Sequence, residues 1–346
     1  MLDKMRDWKP PSDWLKITTL DCHTAGEPFR IITGGYPDLP GDTILARRRY
    51  ARENLDHLRT ALMWEPRGHA DMYGCIVTPP VTPEADIGVI FMHNAGYSTM
   101  CGHGIIGAAT VALETGLLPQ TAAPETTIKI DTPAGLVTAH AQMSDGRVQS
   151  IRFHNVPSFV LALDETVEVP GLGEVRYDLA FGGAFYAYVQ AQDVGLTCRP
   201  DNFRAFIEKG LAIKRAIVTS RPIPHPFEKD LSFLYGPIFI GPSMQAGSHS
   251  RNVCVFAEGE VDRCPTGTGV SGRLAIHHAR GEVDVKEAII IESIIGTRFT
   301  GRIVKTTTFG PHPAVIPEVK GAAHITGRHE FLINPNDTLR NGFILR

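Results

Sequence analysis

Six cysteines are spread over 346 residues, and no two of them form a Cys-x-x-Cys pair. Cys22, Cys75, Cys101, Cys198, Cys254 and Cys264 are scattered. In a chain of this length that pattern excludes a disulfide framework and points to free thiols in a reducing, cytoplasmic compartment. Zinc-type Cys/His spacing is missing too, because the adjacent His277 and His278 project to different faces of a helix. No run of about 18 apolar residues occurs, so no membrane-spanning helix is expected. The polar start, Met1 to Lys16, lacks the apolar core of a signal peptide. Lysine and arginine total 34 against 37 acidic residues, a net charge of −3 that leaves no electrostatic footprint for nucleic acid. Arg47, Arg48, Arg49 and Arg52 are the one basic cluster and read as a solvated helix face. Neither a low-complexity tract nor a nicotinamide fingerprint is present.

What is present is a duplication. Met100-Cys101-Gly102-His103-Gly104 and Pro265-Thr266-Gly267-Thr268-Gly269 each open a stretch of small and apolar residues. Six positions beyond Cys101 and Thr266 stand Gly107 and Gly272; fifteen positions beyond stand Gly116 and Gly281. A length of 346 residues with 43% hydrophobic and 21% charged content suits two soluble domains. Most of the chain reads as short strands broken by Gly, Pro and Asp. Helices are expected at Thr43–Ala61, with Thr43 as cap, and at His103–Thr115, Asn202–Lys214 and Thr268–Ala279. Each half then holds many strands around one lean helix, of a kind buried inside a curved sheet. The join is expected near Val156-Pro157, with the final strands crossing back to the first domain.

A helix start presents unpaired N–H groups and about half a positive charge. Two such starts facing each other would grip one small anion, most plausibly a carboxylate. The same field is expected to lower the pKa of the Cys101 thiol from about 8.5. A thiolate beside a carboxylate-binding nest suits removal of the proton α to that carboxylate, with the amides stabilising the developing charge. That chemistry needs no cofactor and no metal.

Asp21-Cys22-His23-Thr24-Ala25-Gly26-Glu27-Pro28, Glu65 to Gly74, Met100 to Gly104 and Asp262 to Gly269 resemble the motifs of the proline racemase family. The resemblance covers the chain from about residue 15 onward. It implies a diaminopimelate-epimerase-like α/β fold of two pseudo-symmetric domains, each a strand barrel around a central helix. The first would comprise residues 15–156 plus C-terminal strands about 326–346, the second residues 157–325, with the site in the cleft. It also implies that the amides of Gly102, His103, Gly267 and Thr268 bind the carboxylate, and that His103 and Asp262 hold the ring nitrogen. Racemases and 4-hydroxyproline epimerases of the family carry Cys at both helix starts. Here Thr266 takes the second place, and a Thr hydroxyl is no base near neutral pH without an activating partner. The Cys/Thr pairing resembles the trans-3-hydroxy-L-proline dehydratases of the family, acting on a hydroxyproline as small-molecule substrate. The alternatives are a 4-hydroxyproline 2-epimerase or proline racemase and a non-catalytic amino-acid-binding protein, and the dimer common in such enzymes is compatible with the chain. His23, Glu27, His69 and Asp71 are further candidates for the cleft. Cys264, two residues before Thr266, reads as structural, and Phe181, Phe185 and Tyr186 as ring-pocket or core residues.

Overall fold

Two helices, Gly102–Glu114 and Gly267–Ala279, organise the protein, and both are buried along almost their whole length. The computed structural model describes residues 2–121 and 124–345. Small residues let strands close around each helix. A Cβ added at Gly107 would stand 2.9 Å from the Phe29 ring, and one at Gly272 would stand 2.2 Å from the Tyr188 hydroxyl. Both helices end at a left-handed glycine, Gly116 (φ 74°) and Gly281 (φ 68°), the position where a side chain is least tolerated.

The strands repeat one pairing order twice. Around the first helix, Ala323–Ile333, Leu15–Thr24, Glu27–Gly34, Tyr73–Thr78, Ile87–His93, Glu125–Thr132, Gly135–Ser144 and Arg147–His154 lie side by side. Their successive pairings are antiparallel, antiparallel, parallel, antiparallel, parallel, antiparallel and antiparallel. Around the second helix come Ser158–Val169, Gly173–Phe181, Phe185–Gln190, Leu234–Pro242, Ser250–Phe256, Ala288–Glu292, Arg298–Phe309 and His312–Gly321. Their pairings follow the same order of senses. The second ring closes where Ala314 and Val315 pair with Phe159 and Ser158. The other end of that strand, Glu318–Gly321, pairs with Ile151–His154, so one strand stitches the two barrels together. This is the two-barrel α/β architecture that the family resemblance implies.

The strands Ile87–His93 and Ser250–Phe256 occupy matching places and are buried at every residue. A strand covered on both faces has no reason to alternate. The outer cover differs between halves. In the second it is one helix, Phe203–Ser220, which turns Phe206, Gly210, Ile213 and Ile217 inward at helical spacing. In the first, the single helix expected over Thr43–Ala61 is two, Ile44–Asn54 and Asp56–Met63, because Leu55 leaves the helical region at φ −126°, ψ 15°. The break turns Leu58 and Leu62 onto the barrel and brings Arg59 to the carbonyls of His93 and Asn94. Thr43 does cap the first of the pair, accepting from Ala46 N–H at 3.0 Å. The expected solvated arginine face is overturned at Arg48, which is buried and donates to the Tyr97 carbonyl at 2.6 Å.

Candidate active site

The two central helices meet start to start. A Cβ on Gly102 would fall 2.7 Å from Gly267 Cα, and one on Gly267 would fall 2.9 Å from Gly102 Cα. Backbone therefore touches backbone, and any larger residue would hold the helices apart. Both starts line one small, partly open pocket with a volume of roughly 20 Å³. Seven of the residues expected from the sequence line it: Cys101, Gly102, His103, Asp262, Thr266, Gly267 and Thr268. A larger cavity, roughly 1000 Å³, lies by Thr18, Ile31, Tyr36, Ala108 and Leu117 and includes none of them.

The two head residues behave differently. Cys101 has extended backbone (φ −142°, ψ 109°), and its Sγ caps its own helix, accepting from Gly104 N–H at 3.2 Å. Thr266 sits at φ 64°, ψ 90°, an unfavourable region for a β-branched residue, and its side chain caps nothing. Its hydroxyl instead donates to Asp262 Oδ2 at 2.8 Å. Asp262 Oδ1 accepts from Cys264 N–H at 2.8 Å. Cys264 Sγ in turn accepts from Thr266 N–H at 3.3 Å, so this thiol shapes the turn and does not face the cavity.

Burial governs the electrostatics. It pushes the Cys101 thiol well above its usual range, and the carboxyl groups of Asp262 and Glu27 add to this. The Gly104 N–H and the Tyr73 hydroxyl oppose the rise without cancelling it. The expectation of a lowered thiol pKa is thus reversed in this closed cleft, because desolvation outweighs the helix-start field. His103 is lowered to about 3 by burial, so its ring is neutral. It stands 3.3 Å from Cys101 Sγ through Nδ1 and packs edge-on against Tyr73, centroids 4.7 Å apart. Asp262 is raised by burial and restrained by its hydrogen bonds. Among the described residues no Lys, Arg or His forms an ion pair with Asp262.

The walls come in part from residues the sequence did not single out. Tyr235 stacks on Phe256 with centroids 5.3 Å apart, and its hydroxyl meets that of Tyr73 at 3.1 Å. Tyr186, an expected wall residue, bonds Thr268 Oγ1 at 2.7 Å. Met100 and Cys254 complete the lining, whereas Phe181 and Phe185 pack with Phe159 and His225 outside it. Tyr73 lay within a quoted motif; Tyr235, Phe256 and Cys254 lie on strands whose pattern is indistinguishable from core. Other candidates fall outside the lining. His23 Nδ1 accepts from Gly26 N–H to close a turn, and exposed His69 bonds its neighbour's carbonyl. Asp71 pairs with Arg263 at 2.7 Å across the cleft.

A nest of amides, a thiol, a neutral imidazole and a carboxyl without a cation partner, gathered around one pocket, suit the chemistry of binding a small amino acid and moving a proton at its α-carbon. Comparison with known proteins agrees in kind. The family model described as proline racemase matches residues 19–344. A Colwellia psychrerythraea protein named trans-3-hydroxy-L-proline dehydratase is 48% identical, covering 99% of this chain and 97% of its own. A Burkholderia multivorans protein named 3-hydroxyproline 2-epimerase is 45% identical, covering 95% and 98%. The crystal structure of a hydroxyproline epimerase from Agrobacterium vitis, with bound trans-4-hydroxy-L-proline, superposes at a TM-score of 0.92 with 34% identity, covering 97% and 96%.

Proposed function

The chain belongs to the proline racemase family, and on that premise we propose that it is a cofactor-independent trans-3-hydroxy-L-proline dehydratase. The observation that carries this reading is the asymmetry of the helix starts: a thiol faces the cavity at 101, and at 266 a hydroxyl is tied to Asp262. One ionisable group suffices for a one-faced reaction, and two-faced inversion needs two. We take residues 15–156 with the strands from about 326 as one half and 157–325 as the other.

In trans-3-hydroxy-L-proline the hydroxyl lies opposite the carboxylate, hence on the same ring face as the α-hydrogen. The carboxylate sits on the amides of Gly102, His103, Gly267 and Thr268, which stabilise charge as the α-carbon loses its proton. The ring ammonium sits against Asp262, a buried carboxyl awaiting a cation, and the neutral His103 accepts a second N–H. Cys101 Sγ takes the α-proton. The C3–O bond breaks as that proton is delivered to the departing hydroxyl, releasing water. The resulting enamine tautomerises to Δ1-pyrroline-2-carboxylate, so atoms balance as substrate to product plus water. Because burial keeps the thiol protonated in the closed cleft, ionisation belongs to the open site or to the arrival of the substrate's cation. The buried, unpaired cysteines suit a reducing cytoplasm.

Epimerisation is the second reading, favoured by the name of the Burkholderia multivorans relative. Incubation in deuterated water with 3-hydroxy-L-proline, 4-hydroxy-L-proline and L-proline, followed by proton NMR, separates the two. Dehydration of the 3-hydroxy substrate alone is expected. Deuterium at the α-carbon with accumulation of the D-isomer would overturn the one-base reading.

A further inference from the structure

Asp262 must stay anionic to hold an ammonium, yet the side chain beside it is another carboxyl group. Glu27, at the start of strand Glu27–Gly34, is fully buried. It reaches from the first half to the second, where its Oε2 accepts from Arg263 N–H at 2.7 Å. Among the described residues its Oε1 has no hydrogen-bond partner, and the bond from the Arg263 amide sets its carboxyl beside that of the adjacent residue, Asp262. The groups facing it are Asp262 and Asp71, the Arg263 cation, and the thiols of Cys101, Cys254 and Cys264. The Arg263 guanidinium is engaged by Asp71 at 2.7 Å.

Two neighbouring carboxyl groups cut off from water do not both ionise readily. The proton goes to the group with fewer donors. Asp262 already accepts from Cys264 N–H and Thr266 Oγ1, whereas Glu27 accepts from Arg263 N–H alone. Burial and the neighbouring Asp262 charge push Glu27 upward, in the same direction.

We propose that Glu27 is a positioning residue: as a neutral acid it donates Oε1–H to Asp262, keeping Asp262 ionised and aimed at the substrate's ammonium. This rests on the reading of Asp262 given above. Because the Arg263 N–H comes from the opposite half, the pair assembles only when the halves are closed, which couples closure to binding of a cation.

The test compares Glu27→Ala with Glu27→Gln, whose amide can donate to Asp262 and accept from Arg263 as the neutral acid does. Glu27→Ala is expected to raise KM for trans-3-hydroxy-L-proline about tenfold or more, with a smaller fall in kcat. Glu27→Gln should recover most of that loss. It should also lack the alkaline decline expected of the native protein as Glu27 ionises. A Gln variant as impaired as the Ala variant would overturn the proposal, as would identical alkaline limbs. A readout independent of turnover is the carboxyl carbon signal of protein labelled at Glu. A protonated carboxyl persisting above neutral pH and lost in Glu27→Gln is expected; ordinary titration near 4.3 sinks the idea. If the native protein dehydrates no hydroxyproline, the reaction assignment fails while this signal still reports on the carboxyl pair.

Discussion

Cys101 and Thr266 stand at equivalent points of a duplicated architecture, and the backbone treats them as different devices. At 101 an extended residue points its sulfur along the helix start, where the Gly104 amide meets it. At 266 the chain enters the helix through a left-handed residue whose hydroxyl turns to Asp262. A strained β-branched residue costs on the order of 1–3 kcal/mol and persists only where its surroundings impose it. Here the imposing groups are Cys264 and Asp262, which bond the Thr266 amide and hydroxyl. The duplicated frame thus presents two helix starts, and at one of them the head residue supports a carboxyl group.

Removing the thiol breaks the comparison hardest. Cys101→Ala is expected to lower dehydration by roughly 10⁴, the upper range for loss of a general base, measured by NMR of pyrroline formation. Full activity in that variant would assign the proton transfer elsewhere. Next in size is Gly267→Ala. Its Cβ must push against Gly102, so the helix starts separate, and a cost of roughly 1–3 kcal/mol is expected with a lower Tm and weakened substrate binding. An unchanged Tm and KM would mean that the starts do not need to touch.

Thr266 sharpens the comparison at smaller amplitude. Thr266→Ala removes a donor from Asp262 and should raise KM about tenfold, with Thr266→Ser restoring it. Thr266→Cys restores the symmetric pair, and α-deuterium incorporation into proline or 4-hydroxyproline is its expected signature. Absence of exchange would show that a thiol at this strained position cannot reach the opposite ring face. The mildest effect concerns the seam between barrels. Burial alone would raise Glu318, but bonds from His154, Arg302 and Arg152 outweigh it and hold the carboxyl at about 2. A lowered acid contributes stability above its ordinary range, and that stability is lost as pH falls from about 4.5 towards 2. Tm measured across that interval should fall less steeply in Glu318→Gln than in the native protein.

The paired glycines made the two helices legible, because a helix of small residues followed by a left-handed glycine has few other uses. They also located the amides, the thiol and the hydroxyl. Asp262 and His103 followed from the motifs around them. Less was legible where the determinant is contact between distant strands. The sequence does not single out Tyr235 and Phe256, because a cavity wall and a core surface share one apolar pattern. Arg48 read as solvated because the Tyr97 carbonyl that receives it is far away in sequence. The thiol's direction of shift depended on how tightly the halves seal the cleft, a property that neither helix start carries alone. The expected single helix at Thr43–Ala61 failed at Leu55, whose backbone is decided by what the next turn must cover.

The strand His312–Gly321 has a consequence for the order in which this protein can take shape during synthesis. The second ring closes entirely from residues 158–321, one uninterrupted stretch. The first ring needs Leu15–Thr24 to find Ala323–Ile333, partners separated by some three hundred residues. Half of the molecule made first is therefore completed last, and until then Leu15–Thr24 presents one unpaired edge along its length. A growing chain in this state would gain most from a chaperone that covers a strand edge, and a ribosome-bound fragment ending before residue 323 should carry a finished second barrel beside an open first one.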